Sequence, residues 1–164
     1  MWDQPRIEQI ISAPKHFWKI LSLVILVGLP FSSALGQTSL VPMAQQAIGV
    51  WADENGDSNI KIAPCGNALC GNVVWLKDPN DETGRPKTDL YNPNEKLRSR
   101  TLLGLKIIAG LKFDENNASL KGKVYNADNG KVYDFYLKPS GKTMHVEGCL
   151  LRVLCDTQIW TRVR

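Results

Sequence analysis

The chain has 164 residues, and its 20 Lys and Arg against 16 Asp and Glu give a formal net charge of +4 at pH 7. The basic residues are scattered, and no block reaches the roughly five or six like charges that mark a nucleic-acid-binding surface. The composition therefore disfavours a nucleic-acid partner. The length suits one ordinary domain after a leader and is short for two.

The N-terminal segment has the pattern of an export signal. Basic residues precede an apolar run over 20–31, and Ala34-Leu-Gly36 supplies the small residues of a cleavage site. An uncleaved membrane anchor is the alternative, but the run is well short of the ~20 residues that cross a bilayer. The sequence thus predicts a cleavable signal over 1–36, a periplasmic or secreted protein, and no stable membrane insertion after cleavage.

The rest divides into a predicted flexible lead over 37–46 and a single domain over 47–164. From residue 47 onward, short runs rich in Val, Ile, Tyr and Trp alternate with Gly, Asn, Asp and Pro, which is typical of antiparallel β-structure. The fourth run contains two glycines and is predicted as a strand or bulged strand. The predicted strands lie at 48–51, 59–63, 71–77, 102–113, 122–125, 131–137, 143–149 and 157–163.

A long stretch over 78–100 contains three prolines and many charges. Loops of this length tend to be functional or mobile. Within it, Asn92-Pro-Asn-Glu95 resembles a helix start, with Asn at the N-cap, Pro at the first helical position and Glu three residues after the cap. A short helix is therefore predicted from Pro93 to Ser99.

Sequential hairpins with one apolar face each must bury those faces together, and closure into a barrel also removes exposed edges. The sequence predicts an all-β fold, a small antiparallel up-and-down barrel of about eight strands with one short helix in a long loop. Such an interior is either filled by side chains or holds one small ligand.

The four cysteines are even in number, and export would carry them to an oxidising compartment, so disulfides are predicted. Three pairings are possible. We favour Cys65 with Cys70 and Cys149 with Cys155, because each pair flanks a short apolar turn-like segment. A zinc site is disfavoured because only the first pair has the usual ligand spacing, and neither pair has the C-x-x-C spacing of thioredoxin-like redox centres.

Several motifs together resemble a known family. They are Gly49-Val-Trp51, the run from Ile62 to Gly71 containing Pro-Cys-Gly-Asn-Ala-Leu-Cys, Leu97-Arg-Ser-Arg-x-Leu-Leu-Gly104, the repeated Gly-Lys-Val-Tyr at 122–125 and 130–133, and Trp160-Thr-Arg162. The chain resembles the domain-of-unknown-function 2147 family of exported bacterial proteins over 48–163. The resemblance implies a calycin-like or lipocalin-like barrel, export to the periplasm and no assigned activity.

Calycin-like folds share a first-strand G-x-W and an Arg near the end of the last strand. The resemblance implies that Gly49, Trp51 and Arg162 play these parts and close the barrel base. An Arg plane over an indole face gains about 0.5 to 2 kcal/mol, and its N–H groups can cap strand-end carbonyls. These three residues are therefore predicted to be structural.

The candidates for catalysis are few. By alternation His145 lies with Thr143 and Glu147 on the face opposite Met144 and Val146, which predicts a solvent-facing side chain. No serine lies in a G-x-S-x-G motif, and the paired carboxylates lie in turns. Asp53, Asn55 and Asp57 lie at alternate positions but do not complete the twelve-residue calcium-binding loop. The sequence therefore predicts no catalytic residue, no metal and no cofactor, and it favours a protein that is not an enzyme.

The best binding candidates belong to the long loop and its neighbours, which could cover one barrel end. Arg side chains there could bind carboxylates or phosphates in a bidentate manner. The predicted function is binding of a small amphipathic or acidic, fatty-acid-like ligand in or at the mouth of the barrel. The alternative is a protein-interaction or envelope-stress module with a filled barrel, whose partner is unknown. The candidate ligand-binding residues are Trp75, Asp89, Tyr91, Asn92, Arg98 and Arg100.

Overall fold

The computed structural model describes residues 42–151 and 153–163. The predicted signal over 1–36 and residues 37–41 of the predicted lead lie outside the described residues. Within them, eight antiparallel strands form a closed barrel in sequence order, and the last strand pairs back with the first. The strands are β1 (Gly49–Ala52), β2 (Ser58–Cys65), β3 (Ala68–Leu76), β4 (Lys106–Asp114), β5 (Ser119–Asn126), β6 (Lys131–Ser140), β7 (Thr143–Leu150) and β8 (Leu154–Arg162).

The predicted fold class is confirmed, and each predicted strand overlaps an observed one. The largest difference is in β4, which begins at Lys106 instead of residue 102. Residues 102–105 form a turn in which Gly104 has a φ of 85°, a backbone conformation that favours glycine over strand geometry. The register of β4 against β5 shifts between Ala109 and Lys112, around Gly110, so the bulge that the two glycines suggested is present.

A short helix, α1 (Met43–Ala47), precedes β1. It differs from the predicted flexible lead, because residues 43–46 of that lead are helical. Met43 and Ala44 pack against the hydrophobic core, and Ala47 is fully buried. The helix packs against β4, β5 and β6. It therefore covers the barrel end at which β1 starts, the closed end.

The short helix predicted in the long loop is present but shorter. It is a 3-10 helix, Glu95–Leu97, and Asn94 is its N-cap, accepting a hydrogen bond from the backbone N–H of Lys96 at 3.1 Å. The prediction of Asn92 as the cap was wrong, because its side chain is used elsewhere. The Asn92 Oδ1 accepts from the backbone N–H of Asn94, and its amide nitrogen donates to Asp89.

Both predicted disulfides are confirmed. Cys65–Cys70 joins β2 to β3 near the closed end. Cys149–Cys155 joins β7 to β8 at directly opposed positions, with a Cα–Cα distance of 4.0 Å, near the other end. All four cysteines are therefore paired. The β2–β3 hairpin and the β7–β8 hairpin are thus each held by a disulfide as well as by hydrogen bonds.

The core occupies the closed half of the barrel. Strand alternation directs every second side chain inward. Burial of a large aliphatic side chain contributes roughly 1.5 to 3 kcal/mol, so this half supplies most of the hydrophobic stabilisation. The large, fully buried apolar side chains are Trp51, Ile60, Ile62, Ile108, Leu111, Leu120, Leu137 and Met144. In the part of the chain that the structure describes, no helix is both long and apolar enough to cross a membrane.

Candidate functional site at the barrel mouth

The barrel end opposite α1 is open and holds a cavity of about 630 Å³. The connections between β1 and β2, β3 and β4, β5 and β6, and β7 and β8 all meet at this end, which we call the mouth. The cavity floor is apolar and aromatic. Its main floor residues are Val124, Tyr133, Phe135, Val146 and Trp160.

The cavity exists because the inward-facing residues nearer the mouth have smaller or polar side chains. Along β7 the inward positions run Met144, Val146, Gly148. Along β8 the opposing inward positions include Trp160 and Asp156. A Cβ added at Gly148 would meet nothing within 4 Å, so this glycine leaves open space next to the β8 interior face.

Two aromatic rings define the depth of the cavity. Phe135 and Trp160 lie with their ring centroids 6.0 Å apart in a tilted arrangement, within the range of favourable aromatic pairs. The Trp160 indole N–H donates to the Oε1 of Gln158 at 2.9 Å, so its polar group is satisfied without a ligand. Phe135 and Trp160 are only 3% and 5% exposed, so they belong to the packed core and offer the cavity a small apolar surface.

The rim carries charged side chains from several connections. In the β1–β2 turn, Asp53 accepts hydrogen bonds from the Ser58 hydroxyl at 2.6 Å and from the backbone N–H of Asp57 at 2.8 Å. The Lys77 ammonium lies 3.4 Å from the Asp57 carboxylate. In the described part of the chain, the charged lining residues are Asp53, Asp57, Lys77, Asp78, Lys87, Asp128 and Asp156.

Beside the mouth, a buried polar cluster fastens the long loop to β5. Asp89 is fully buried, and its carboxylate accepts from the Tyr125 hydroxyl at 2.5 Å and from the Asn92 amide at 2.8 Å. Arg100 approaches the same carboxylate, with its Nη2 at 2.7 Å and its Nε at 2.8 Å. Tyr125 also lines the cavity. The cluster therefore connects the position of the loop to the mouth.

The cluster changes the acidity of two of its members. Burial by itself would raise the pKa of Asp89, but the hydrogen bonds from Tyr125, Asn92 and Arg100, with the Arg100 charge, hold that pKa below its ordinary value. Burial and the neighbouring Asp89 carboxylate raise the pKa of Tyr125. At neutral pH the cluster is thus an ionised carboxylate held by a neutral phenol and a guanidinium.

A close backbone contact holds the other side of the loop. Gly130, in the β5–β6 turn, has a φ of 69°, and a Cβ there would lie 2.0 Å from the carbonyl oxygen of Tyr91. No side chain fits this gap. The glycine requirement therefore comes from both its backbone conformation and the packing of the long loop against the β5–β6 turn.

The structure brings together three of the six predicted ligand-binding residues, Asp89, Asn92 and Arg100, in the buried cluster. Arg98 lies next to them and donates from Nε to the Asn92 carbonyl at 2.8 Å. Trp75 and Tyr91 are exposed. In the part of the chain that the structure describes, none of the six lines the mouth cavity.

At the closed end, the structure places Arg162 over the Trp51 ring, with the guanidinium carbon 4.1 Å from the ring centroid. The guanidinium donates to the backbone carbonyls of Ile48 and Gln46. The Trp51 indole N–H donates to the Ala47 carbonyl at 2.8 Å. These contacts join the start of β1, the end of β8 and α1.

The hairpin between β7 and β8 ends in an exposed aliphatic tip. Leu151 and Val153 are 79% and 77% exposed, and Leu154 is also exposed. The Cys149–Cys155 disulfide holds the base of this tip. Glu147, Cys149 and Cys155 have potential ligand atoms within 4.8 Å of one another, but both sulfurs are in the disulfide, so they offer no thiolate to a metal. His145 is exposed, as alternation predicted.

Sequence reasoning missed the cavity lining. Alternation on β6, β7 and β8 could have identified Phe135, Val146, Gly148 and Trp160 as inward-facing, since Val146 was already placed on the apolar face of its strand. What the pattern could not show was which barrel end each position approaches. Gly148 was not singled out, although a glycine at an inward position is a signal for interior space.

Comparison with known proteins agrees with this architecture. Protein HP1028 from Helicobacter pylori, described as belonging to the lipocalin family, is similar in structure, with a TM-score of 0.61 and 21% sequence identity. The match covers 71% of this chain and 82% of that one. No curated protein matches the chain. The family model described as an uncharacterized protein conserved in bacteria (DUF2147) matches residues 49–162, and the chain therefore belongs to the DUF2147 family.

Proposed function

We propose that this protein binds one small amphipathic molecule in the mouth cavity of its barrel. The observation that carries the proposal is the cavity itself, about 630 Å³ in volume, with an aromatic floor and a polar rim. Ligand sites in proteins commonly measure about 300 to 1,000 Å³ and combine apolar walls with a few placed polar groups. The ligand would set its apolar part on Phe135 and Trp160 and its polar part at the rim.

The barrel size supports the same proposal. An eight-stranded barrel is just wide enough either to be filled by side chains or to hold one small ligand, as lipocalins do. The closed half of this barrel is filled, whereas Gly148 and the polar β8 positions leave the other half open. The alternative function, an interaction module with a filled barrel, fits the exposed tip at Leu151 and Val153 but not the cavity.

We place the protein outside the cytoplasm, in the periplasm or secreted. The support is the leader pattern over 1–36 together with two disulfides, which persist in oxidising compartments. In this account residues 47–164 are the functional domain. Asp89, Asn92 and Arg100 act by positioning the long loop beside the mouth, because their polar atoms are already used within the cluster.

Native mass spectrometry of the disulfide-bonded protein, purified from the periplasm, tests the proposal. A discrete small molecule should be present before denaturing extraction and absent after it. Gly148→Leu should reduce its occupancy at least tenfold, because the new side chain enters the cavity without a clash at Cβ. Thr161→Leu is the control, since it places the same leucine side chain at an exposed position on β8.

Loss of the bound molecule in both variants, or its retention in Gly148→Leu, would contradict binding in the mouth. If the protein carries no molecule and takes up no amphipathic probe, the protein-interaction class becomes the better account.

A further inference from the structure

We infer that the ligand of the mouth cavity is an organic cation with an apolar body. This rests on the proposed function and goes beyond it by naming the charge of the ligand. Among the residues that the structure describes, the lining contains five Asp against two Lys. This proposal differs from the sequence-based prediction of a small amphipathic or acidic, fatty-acid-like ligand in the charge of the head group.

Ion pairing within the lining increases the ratio of unpaired carboxylates to unpaired ammonium groups. Lys77 is paired with Asp57, and Asp53 is held by its own turn. In the described residues, Asp78, Asp128 and Asp156 take part in no side-chain ion pair, and Lys87 is the remaining lining cation. Besides Asp53, three described carboxylates without ion-pair partners thus face one ammonium around the mouth.

Asp156 links the charged rim to the floor. On β8, alternation places Asp156, Gln158 and Trp160 on the same inward face, and all three line the cavity. Asp156 is directly opposite Gly148, whose missing side chain leaves its surroundings open. A ligand that contacts Trp160 can therefore reach the Asp156 carboxylate along one strand.

The aromatic floor suits the same class of ligand. Faces of Trp, Tyr and Phe attract cations within about 6 Å, and quaternary ammonium groups are recognised in aromatic cages. Among the lining residues, Tyr133 is partly exposed and can present its ring to a ligand, whereas Trp160 and Phe135 are 5% and 3% exposed and contribute a small apolar surface. A carboxylate head group would gain nothing from these faces and would meet the carboxylates of the rim. An ammonium head group at the rim is attracted by these carboxylates and by the ring of Tyr133, which lies nearer the mouth than Phe135 on β6.

Isothermal titration calorimetry with three probes of equal chain length tests the inference: octyltrimethylammonium, octanoate and octyl glucoside. On the disulfide-bonded protein at low salt, the cation should bind at least tenfold more tightly than octanoate, with the neutral probe between them. Raising the salt should narrow this difference, because exposed charges are screened. Asp156→Asn should weaken the cation about threefold to fivefold. Glu115→Gln, in the connection at the closed end, should leave all three affinities unchanged.

The outcomes separate the inference from the function on which it rests. If octanoate binds as tightly as the cation and Gly148→Leu abolishes its binding, the cavity binds ligand but the charge assignment is overturned. If none of the probes binds, the proposed function fails with it. The probe comparison on the unmodified protein decides even if Asp156→Asn does not fold.

Discussion

The two halves of the barrel use the same strands and the same alternation, but the closed half is filled with buried side chains and the mouth half holds the cavity. On β6 the inward position near the closed end is Leu137, which is fully buried, and the position nearer the mouth is Tyr133, which is only partly buried. On β7 the corresponding change is from Met144 to Gly148. The cavity therefore exists because the strands carry smaller or less buried inward side chains near the mouth, while the large buried side chains at the other end stabilise the fold.

The largest expected effect on stability comes from shortening a β6 side chain in the closed half, compared with shortening one near the mouth. Leu137→Ala should lower the free energy of unfolding by about 3 kcal/mol, the cost of a cavity in a filled core. Tyr133→Ala should cost clearly less, since its side chain borders existing space. Urea unfolding of both variants measures the difference. Equal losses would mean that the mouth half is packed as tightly as the closed half.

The polar cluster beside the mouth should give the next largest effect. Asp89→Asn replaces the ionised acceptor of Tyr125 and Arg100, and hydrogen bonds to charged groups contribute about 2 kcal/mol. The free energy of unfolding at pH 7 should fall by about that amount. Glu115→Gln, which removes an exposed charge, should leave it nearly unchanged. A loss as small as that of the control would show that the cluster does not stabilise the loop.

The same variant should change the pH dependence of stability. Because the pKa of Asp89 is lowered in the folded protein, its stabilisation is present above the ordinary carboxyl pKa and is lost as the pH falls through the lowered value. The pKa of Tyr125 is raised, so its contribution is lost as the pH rises through that raised value. Asp81 and Asp114 also have lowered pKa values. The acid loss of stability should therefore shrink in Asp89→Asn without disappearing, as read from urea unfolding at pH 3, 4 and 7.

The sequence predicted the barrel fold but not the polar cluster beside its mouth. Short apolar runs separated by turn residues predicted the barrel, because sequential hairpins with one apolar face each must bury those faces together. The disulfides followed from the short segments between the cysteines. The cluster around Asp89 could not be predicted, since Tyr125 is distant in sequence from the loop and meets it only after the barrel closes.

The prediction of the loop residues as ligand contacts came from their chemistry alone. Arg and Asp suit recognition of charged ligands, but in the folded chain Arg100 and Asp89 pair with each other. Composition cannot distinguish charges that satisfy one another from charges left for a ligand. Asp156 shows the reverse case: it is an ordinary hairpin residue in the sequence, and only the barrel places it in the cavity lining.

The two disulfides should contribute about equally to stability. Each closes a loop of similar, short length, for which the entropy model gives about 2 kcal/mol. The double variants Cys65→Ser/Cys70→Ser and Cys149→Ser/Cys155→Ser should lose similar stability in urea. Only the second, at the mouth, should also weaken binding of an amphipathic probe. A binding loss in the first variant would place the site at the wrong end of the barrel.

The smallest expected effect on stability belongs to Gly148→Leu. Since the new side chain enters open space, the free energy of unfolding should change by less than about 0.5 kcal/mol, as is usual away from packed features. Binding should nevertheless be lost. Destabilisation as large as that of Leu137→Ala would mean that the space around residue 148 is already occupied.

The most direct measurement is an NMR titration of the ¹⁵N-labelled, disulfide-bonded protein with octyltrimethylammonium. Amide shifts should be concentrated at Val146, Gly148 and Trp160, with little change at Trp51 and Leu137 in the closed half. Shifts confined to the closed half or to the outer face, or no shifts at concentrations where the probe remains monomeric, would contradict ligand binding in the mouth.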